Sequence, residues 1–158
     1  MTVQEIMAKS PVYCDRGMNL AQATELLWKA GCGALPVVGP WLRVVGIITD
    51  RDICIALGTR NLRPSEVTVG EAMSSHVVMC APCDDIHAAL DKMRRQKVRR
   101  LPVVNRDGTL QGMLCASDIL LYARHDDGTS PELSYENIVG ALRGIYWRCP
   151  AGEVHCPN

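Results

Sequence analysis

The chain contains no phenylalanine, and aromatic residues make up only 4% of its 158 positions. Any ring stacking must therefore come from three tryptophans and four tyrosines. It also lacks a charge bias, with 17 basic against 17 acidic side chains, so no global field points to nucleic acid or an anionic membrane. No apolar run is long enough to span a bilayer, and no basic-then-apolar leader opens the sequence, which makes the cytoplasm the expected location. The four histidines (76, 87, 125, 155) are scattered, and none pairs with a Ser or Cys in a nucleophile motif. What remains is 47% hydrophobic and 22% charged, the profile of a globular chain long enough for one core or two small lobes.

Eight cysteines lie mostly among apolar neighbours, as buried thiols do in reduced proteins. One pair, Cys80 and Cys83, forms a CxxC that invites a redox or zinc reading. Zinc usually needs a second pair, for which only Cys149, His155 and Cys156 are at hand. Core packing accounts for Cys80 equally well, because it occupies the position equivalent to Cys14 in an internal repeat.

That repeat is the most informative feature. LPVV occurs at Leu35–Val38 and again at Leu101–Val104, an offset of 66 residues. The same register, without a gap, aligns Thr2–Met7 (TVQEIM) with Thr68–Met73 (TVGEAM). It also pairs Val12 with Val78, Ala23 with Ala89, Gly46 with Gly112, and Asp52-Ile53 with Asp118-Ile119. So many scattered matches in one register mark a tandem duplication. Each unit reads as a short helical lead-in, an extended segment, an amphipathic helix, two strands and a second helix, or βαββα. In the second unit Asn105-Arg106-Asp107-Gly108 marks the hairpin. The expected fold class is α/β (α+β), two βαββα repeats packed pseudo-symmetrically plus a C-terminal helix. The expected boundaries are 1–64, 65–125 and 126–158, the last holding a loop, a helix from Ser134 to about Trp147, and a tail.

Each unit ends its second strand in a similar octet, GIITDRDI at Gly46–Ile53 and GMLCASDI at Gly112–Ile119. Thr49-x-x-Asp52 fits a capping box, with an acidic residue at the positive end of a helix. In the second copy Cys115 replaces the threonine, a poor cap, while Asp118 stays and Ser117 offers a nearby hydroxyl. The persistence of the aspartate suggests a task beyond capping.

LPVV, a hairpin, G-h-h-T-x-x-D and a helix, in duplicate over Thr2 to Arg124, resemble the cystathionine-β-synthase (CBS) domain pair. The resemblance implies a compact non-catalytic regulatory module whose clefts bind adenosine-containing ligands such as AMP, ADP, ATP, NAD or S-adenosylmethionine. It also implies a disc-like homodimer that signals to a downstream protein. It assigns Asp52 and Asp118 to ribose, and a carboxylate suits that task because it accepts from both hydroxyls. It places Thr49 on phosphate or ribose, with Ser117 as the substitute beside Cys115. A basic residue before LPVV reaches phosphate in the family; here Arg99 and Arg100 fill that place, and strand alternation sends at most one of them to a given cleft. Val12, Tyr13, Leu35, Pro36, Met79 and Pro102 stand at positions that flank the adenine in relatives. For the leucines and valines core packing is the competing account.

Nothing in the chain resembles an attached enzyme, channel or DNA-binding domain, so a stand-alone module is expected. No metal is expected. Two other readings stay open: a ligand-free dimeric scaffold working through its surface and C-terminal helix, and a thiol or zinc sensor at Cys80 and Cys83.

Overall fold

The computed structural model describes residues 1–123 and 133–146. The expected tail after Trp147, the loop at 125–131 and the distal Cys149, His155 and Cys156 fall outside these residues.

The first repeat contributes β1 (Cys14–Asp15), α2 (Leu20–Ala30), β2 (Ala34–Val38), β3 (Val44–Thr49) and α3 (Asp50–Arg60), after a lead-in helix α1 (Val3–Ile6). The second has its own lead-in α4 (Val69–Ala72), then α5 (Ile86–Gln96), β4 (Arg100–Val104), β5 (Leu110–Cys115) and α6 (Ala116–Leu121). A final helix, α7 (Tyr135–Tyr146), follows. In the first sheet β1 runs parallel to β2, which pairs antiparallel with β3. In the second, β4 pairs antiparallel with β5, and a parallel bridge from Cys80 to Val103 stands where β1 does in the first. Both sheets slip register at the same place, between Val37 and Val38 and between Val103 and Val104.

Local chemistry sets the element ends. Asn19 accepts from the Gln22 N–H at 2.9 Å to start α2, and Asp85 accepts from the His87 N–H at 2.9 Å to start α5. Gly31 closes α2 in the left-handed region (φ 60°), and Lys97 takes the same conformation (φ 56°) at the end of α5. The Asn105–Gly108 turn closes as expected, with the Gly108 N–H donating to Asn105 O and Gly108 at φ 85°.

The 66-residue register places core on core. Val3 and Val69, Cys14 and Cys80, Leu20 and Ile86, Leu35 and Leu101, Ile48 and Leu114, and Ile53 and Ile119 are all buried. Two apolar clusters result, one per sheet, but each takes in residues from the other repeat's lead-in. Val3 and Ile6 lie in the cluster of the second repeat, and Val67 and Val69 in that of the first.

Backbone hydrogen bonds fix this exchange. The Val3 and Gln4 N–H groups donate to Asp84 O and Pro82 O, and Ala8 and Met113 exchange two bonds. In mirror fashion Val69 N donates to Met18 O, Gly70 N to Arg16 O, and Ile47 and Ser74 exchange two bonds. Helices of four residues do not persist alone, so α1 and α4 exist because they dock. Gly112 and Gly46 make room for them. A Cβ at Gly112 would lie 2.6 Å from Met7 Sδ and 2.8 Å from Ala8 O; at Gly46 it would lie 2.5 Å from Met73 Sδ and 3.1 Å from Ser74 O.

A further tie joins the two hairpins. Val44 N donates to Gly108 O, and Arg43 Nε donates to Asp107 O at 2.8 Å.

Gly112→Ala is expected to destabilise the protein by about 1–3 kcal/mol, because a backbone carbonyl must move. Gly46→Ala should cost less, since its tightest obstacle is the end of a flexible Met73 side chain. Gly58→Ala, in α3 with nothing within 4 Å, should be stabilising by about 0.5–1 kcal/mol. Thermal denaturation of the three variants checks the order.

Candidate functional site

The two octets form junctions of the same shape. In the first, Thr49 Oγ1 accepts from the Asp52 N–H at 3.1 Å and donates to Asp52 Oδ2 at 2.7 Å; the Thr49 N–H also donates to Oδ2, at 2.9 Å. In the second, the Cys115 N–H donates to Asp118 Oδ2 at 3.0 Å. The acidic arm of the box therefore survives the loss of the threonine, and capping by itself explains why Asp118 persists.

A cavity of about 380 Å3 opens beside the second junction, between the repeats. That volume is within the roughly 300–1,000 Å3 of small-molecule sites. The second repeat lines it with Arg100, Met113, Cys115, Ser117 and Asp118. The first repeat supplies the segment from Ser10 to Val12, then Ala30 to Cys32, and Ala34; Ala8 comes from the stretch that pairs with Met113. Four of the twelve expected site residues thus meet on one wall system: Val12, Arg100, Ser117 and Asp118.

Arg100 spans the boundary between repeats. A Cβ built on Gly33 would lie 3.6 Å from an Arg100 guanidinium nitrogen and 3.1 Å from an Asp50 carboxylate oxygen. The guanidinium is at ordinary contact distance, and it is the Asp50 carboxylate beside it that a side chain at position 33 would crowd. Burial, and then the Asp118 carboxylate, push the Cys115 thiol pKa up, while Arg100 pulls the other way.

The neighbouring Arg99 points elsewhere. Its guanidinium lies 5.7 Å over the ring of Tyr146 in α7. Alternation sends the two arginines apart, as expected from the strand, and α7 is what receives the outer one.

The other expected site residues do not line this cavity. Leu35, Pro36 and Pro102 are buried in their strands, Leu35 completely. Met79 is half-buried, and its carbonyl accepts from Lys92 Nζ at 2.9 Å. Tyr13 is exposed, beside the start of β1. Thr49 and Asp52 sit at the opposite junction. Ala8, Ser10, Pro11, Cys32, Ala34 and Met113 escaped sequence reasoning because they carry no distinctive chemistry. The shift by 66 residues from one junction to the other was the available signal. It turns Ala30, Gly31 and Ser117, which line the cavity, into Gln96, Lys97 and Arg51.

The CxxC pair is split by burial. Cys80 is 4% exposed, and burial pushes its thiol up to about 12, whereas Cys83 is exposed. Among the described residues no group of three or more His, Cys, Asp or Glu side chains could hold a metal ion. Among them, too, no helix is long and apolar enough to cross a membrane.

Comparisons with known proteins agree with the duplication. A family model described as CBS domain matches twice, at residues 3–59 and 69–125. An uncharacterized 33.4 kDa protein in the ribosomal RNA operon of Thermofilum pendens is 33% identical over 78% of this chain, which spans 40% of that relative. Hypoxic response protein 1 of Mycobacterium tuberculosis is 31% identical over 78% of this chain and 84% of its own length. Its crystal structure with two coordinated zinc ions superposes with a TM-score of 0.71, covering 77% of this chain and 98% of that one, at 29% identity. The CBS domain pair of protein MJ0100, solved in complex with 5'-methylthioadenosine and S-adenosyl-L-methionine, gives a TM-score of 0.70 at 26% identity, covering 77% of this chain and 94% of that one.

Thiol reactivity checks the burial pattern. The thiolate is the nucleophile, and a thiol held near 12 is ionised to roughly one part in ten thousand at pH 8. Iodoacetamide at that pH should modify exposed Cys54 and Cys83 at least about a hundredfold faster than Cys14 and Cys80. Peptide mass spectrometry follows it; equal rates would contradict the placement of the two buried thiols.

Proposed function

The chain belongs to the CBS domain family, and from that premise we propose that it is a regulatory module that binds an adenosine-containing ligand between its repeats. One observation carries the proposal: a cavity of suitable size places Asp118 and Arg100 on its wall together with backbone and small side chains of the first repeat. Asp118 gives one hydrogen bond's worth of its capacity to the Cys115 N–H. A carboxylate has about four acceptor sites, so the two ribose hydroxyls can share the rest. Arg100 presents a planar fork to a carboxylate or phosphate of the ligand. Val12, Pro11 and Met113 supply apolar surface for the base.

Arg100 and Asp118 are the only charged side chains among the lining residues, and they cancel. A near-neutral wall favours ligands of low net charge. S-adenosylmethionine, 5'-methylthioadenosine and AMP fit it better than ADP or ATP. The complex of the MJ0100 pair supports the same ligand class.

Regulation follows from where the ligand sits. It touches both repeats, so it favours whichever relative placement of the two gives it the better contacts, and occupancy is converted into a change of arrangement that a second copy or a downstream protein reads. The site's groups bind and orient, and the regulatory role is the one that such groups support.

A thermal-shift panel of AMP, ADP, ATP, NAD, 5'-methylthioadenosine and S-adenosylmethionine tests this. A ligand at a hundred times its dissociation constant should add about 2.7 kcal/mol. Asp118→Ala should abolish that gain while costing about 1 kcal/mol of unliganded stability through the lost cap. The bound ligand should also slow alkylation of Cys32 and Cys115 without affecting Cys54. A panel with no shift at all, or a shift unchanged in Asp118→Ala, defeats the proposal.

A further inference from the structure

The turns that join the paired strands stand in one register but are built on opposite terms. In the second repeat the turn reads Asn105-Arg106-Asp107-Gly108, and its one left-handed residue is the glycine, at φ 85°. In the first repeat Pro40-Trp41-Leu42-Arg43 closes through the Arg43 N–H to Pro40 O at 3.2 Å. Both central residues there are left-handed, Trp41 at φ 60° and Leu42 at φ 55°. A turn with two such residues ordinarily takes Asn-Gly, because a bulky side chain strains the backbone in that conformation. Leu42 stands in register with Gly108 and Trp41 with Asp107, so an unstrained polar turn was open to the first repeat as well. Among the described residues the other non-glycine positions of positive φ, Asn61 and Lys97, each close a helix.

The strain at Trp41 returns little packing. Trp41 is 87% exposed and Leu42 42%, at the tip of the hairpin. Nor is the tip loose. Trp41 O accepts from Thr109 Oγ1 at 3.4 Å, Arg43 Nε donates to Asp107 O, and the Val44 N–H donates to Gly108 O at 3.0 Å, so both repeats grip its base. An aromatic side chain held out in solvent on a fixed backbone is suited to be a binding hot spot, since much of its ordering cost is met before a partner arrives.

We propose that Trp41 and Leu42 form an anchor by which another protein docks, inserted in an apolar pocket of that protein rimmed by carboxylates. The rim follows from the charges beside the tip. Arg43 and Arg106 are exposed, whereas the Asp107 carboxylate turns back to accept the Thr109 N–H at 3.1 Å. With Nε committed to Asp107 O, the two terminal nitrogens of the Arg43 guanidinium can still grip a carboxylate. A bilayer is the weaker occupant, because two apolar side chains bury too little area for lasting attachment and the chain carries no excess of positive charge. The anchor is held by both hairpins at once, and the inference is independent of what the cleft binds.

Photo-crosslinking tests it. Trp41→p-benzoylphenylalanine keeps an aromatic ring at the tip; Trp28→p-benzoylphenylalanine, at an 85% exposed tryptophan on the helical backbone of α2, is the control. In the cells that make the chain, position 41 should capture a protein that position 28 does not, through a peptide with Asp or Glu beside apolar residues. That protein, once identified and purified, should bind the double variant Trp41→Asn, Leu42→Gly at least about a hundredfold more weakly than wild type, and Arg43→Glu at least about tenfold more weakly. The double variant should itself melt a few degrees higher, because Asn-Gly suits the turn, and that gain separates a lost anchor from a lost fold. Capture of phospholipid or of a second copy at position 41, no protein specific to that position, an identified protein bound as tightly by the double variant, or a double variant that melts no higher would each overturn the proposal.

Discussion

The structure depends on a reciprocal exchange of lead-ins at two glycines. Each repeat buries its sheet beneath a helix pair, yet neither closes its core without a segment from the other. Val3 and Val69 are fully buried in the opposite halves, and burying such a side chain contributes about 1.5–3 kcal/mol. That gain exists only while Gly112 and Gly46 lack a Cβ. The two halves are therefore one cooperative unit. The cleft between them is held by backbone bonds on both sides instead of by a flexible linker.

This linkage also borders the cleft. Met113 donates to and accepts from Ala8 in the exchange, and both residues line the cavity. Under the proposed function, a ligand there would touch the segment that carries Val3 and Ile6 into the second core. Adjustments of that segment would then reach close-packed side chains, and packed cores respond by discrete shifts and do not deform smoothly.

Much of the fold was legible because the duplication is ungapped. A strict register identified the repeat core, the LPVV strands to within a residue and the hairpin turn. The exchange was hidden, since it runs through backbone bonds of four-residue helices and leaves no side-chain signature beyond the two glycines. The site was half legible. Alternation separated Arg99 from Arg100, but which one faced inward depended on Tyr146, forty-odd residues away and docked by α7. The reading of Asp118 also changed. A cysteine at the cap position suggested that the aspartate had been kept for a ligand, whereas its bond to the Cys115 N–H is the same backbone bond that Asp52 makes to Thr49.

Duplication leaves two copies of every surface, and the two can drift apart wherever the core does not hold them. Here the inward residues stay apolar in both copies, while the outer helix face is covered by α7 on the second repeat and open on the first. Gly31 and Ser117 line the cavity at one junction, and their counterparts at the other are Lys97, whose ammonium turns outward to Gly144 O, and exposed Arg51. The position that binds α7 through Lys97 on one face is that same Gly31 on the opposite face, where it borders both the cleft and the open groove. A single substitution in the duplicated turn thus bears on two surfaces together. The Gly31–Cys32 turn is thus common to the wall of the cleft and the floor of the groove.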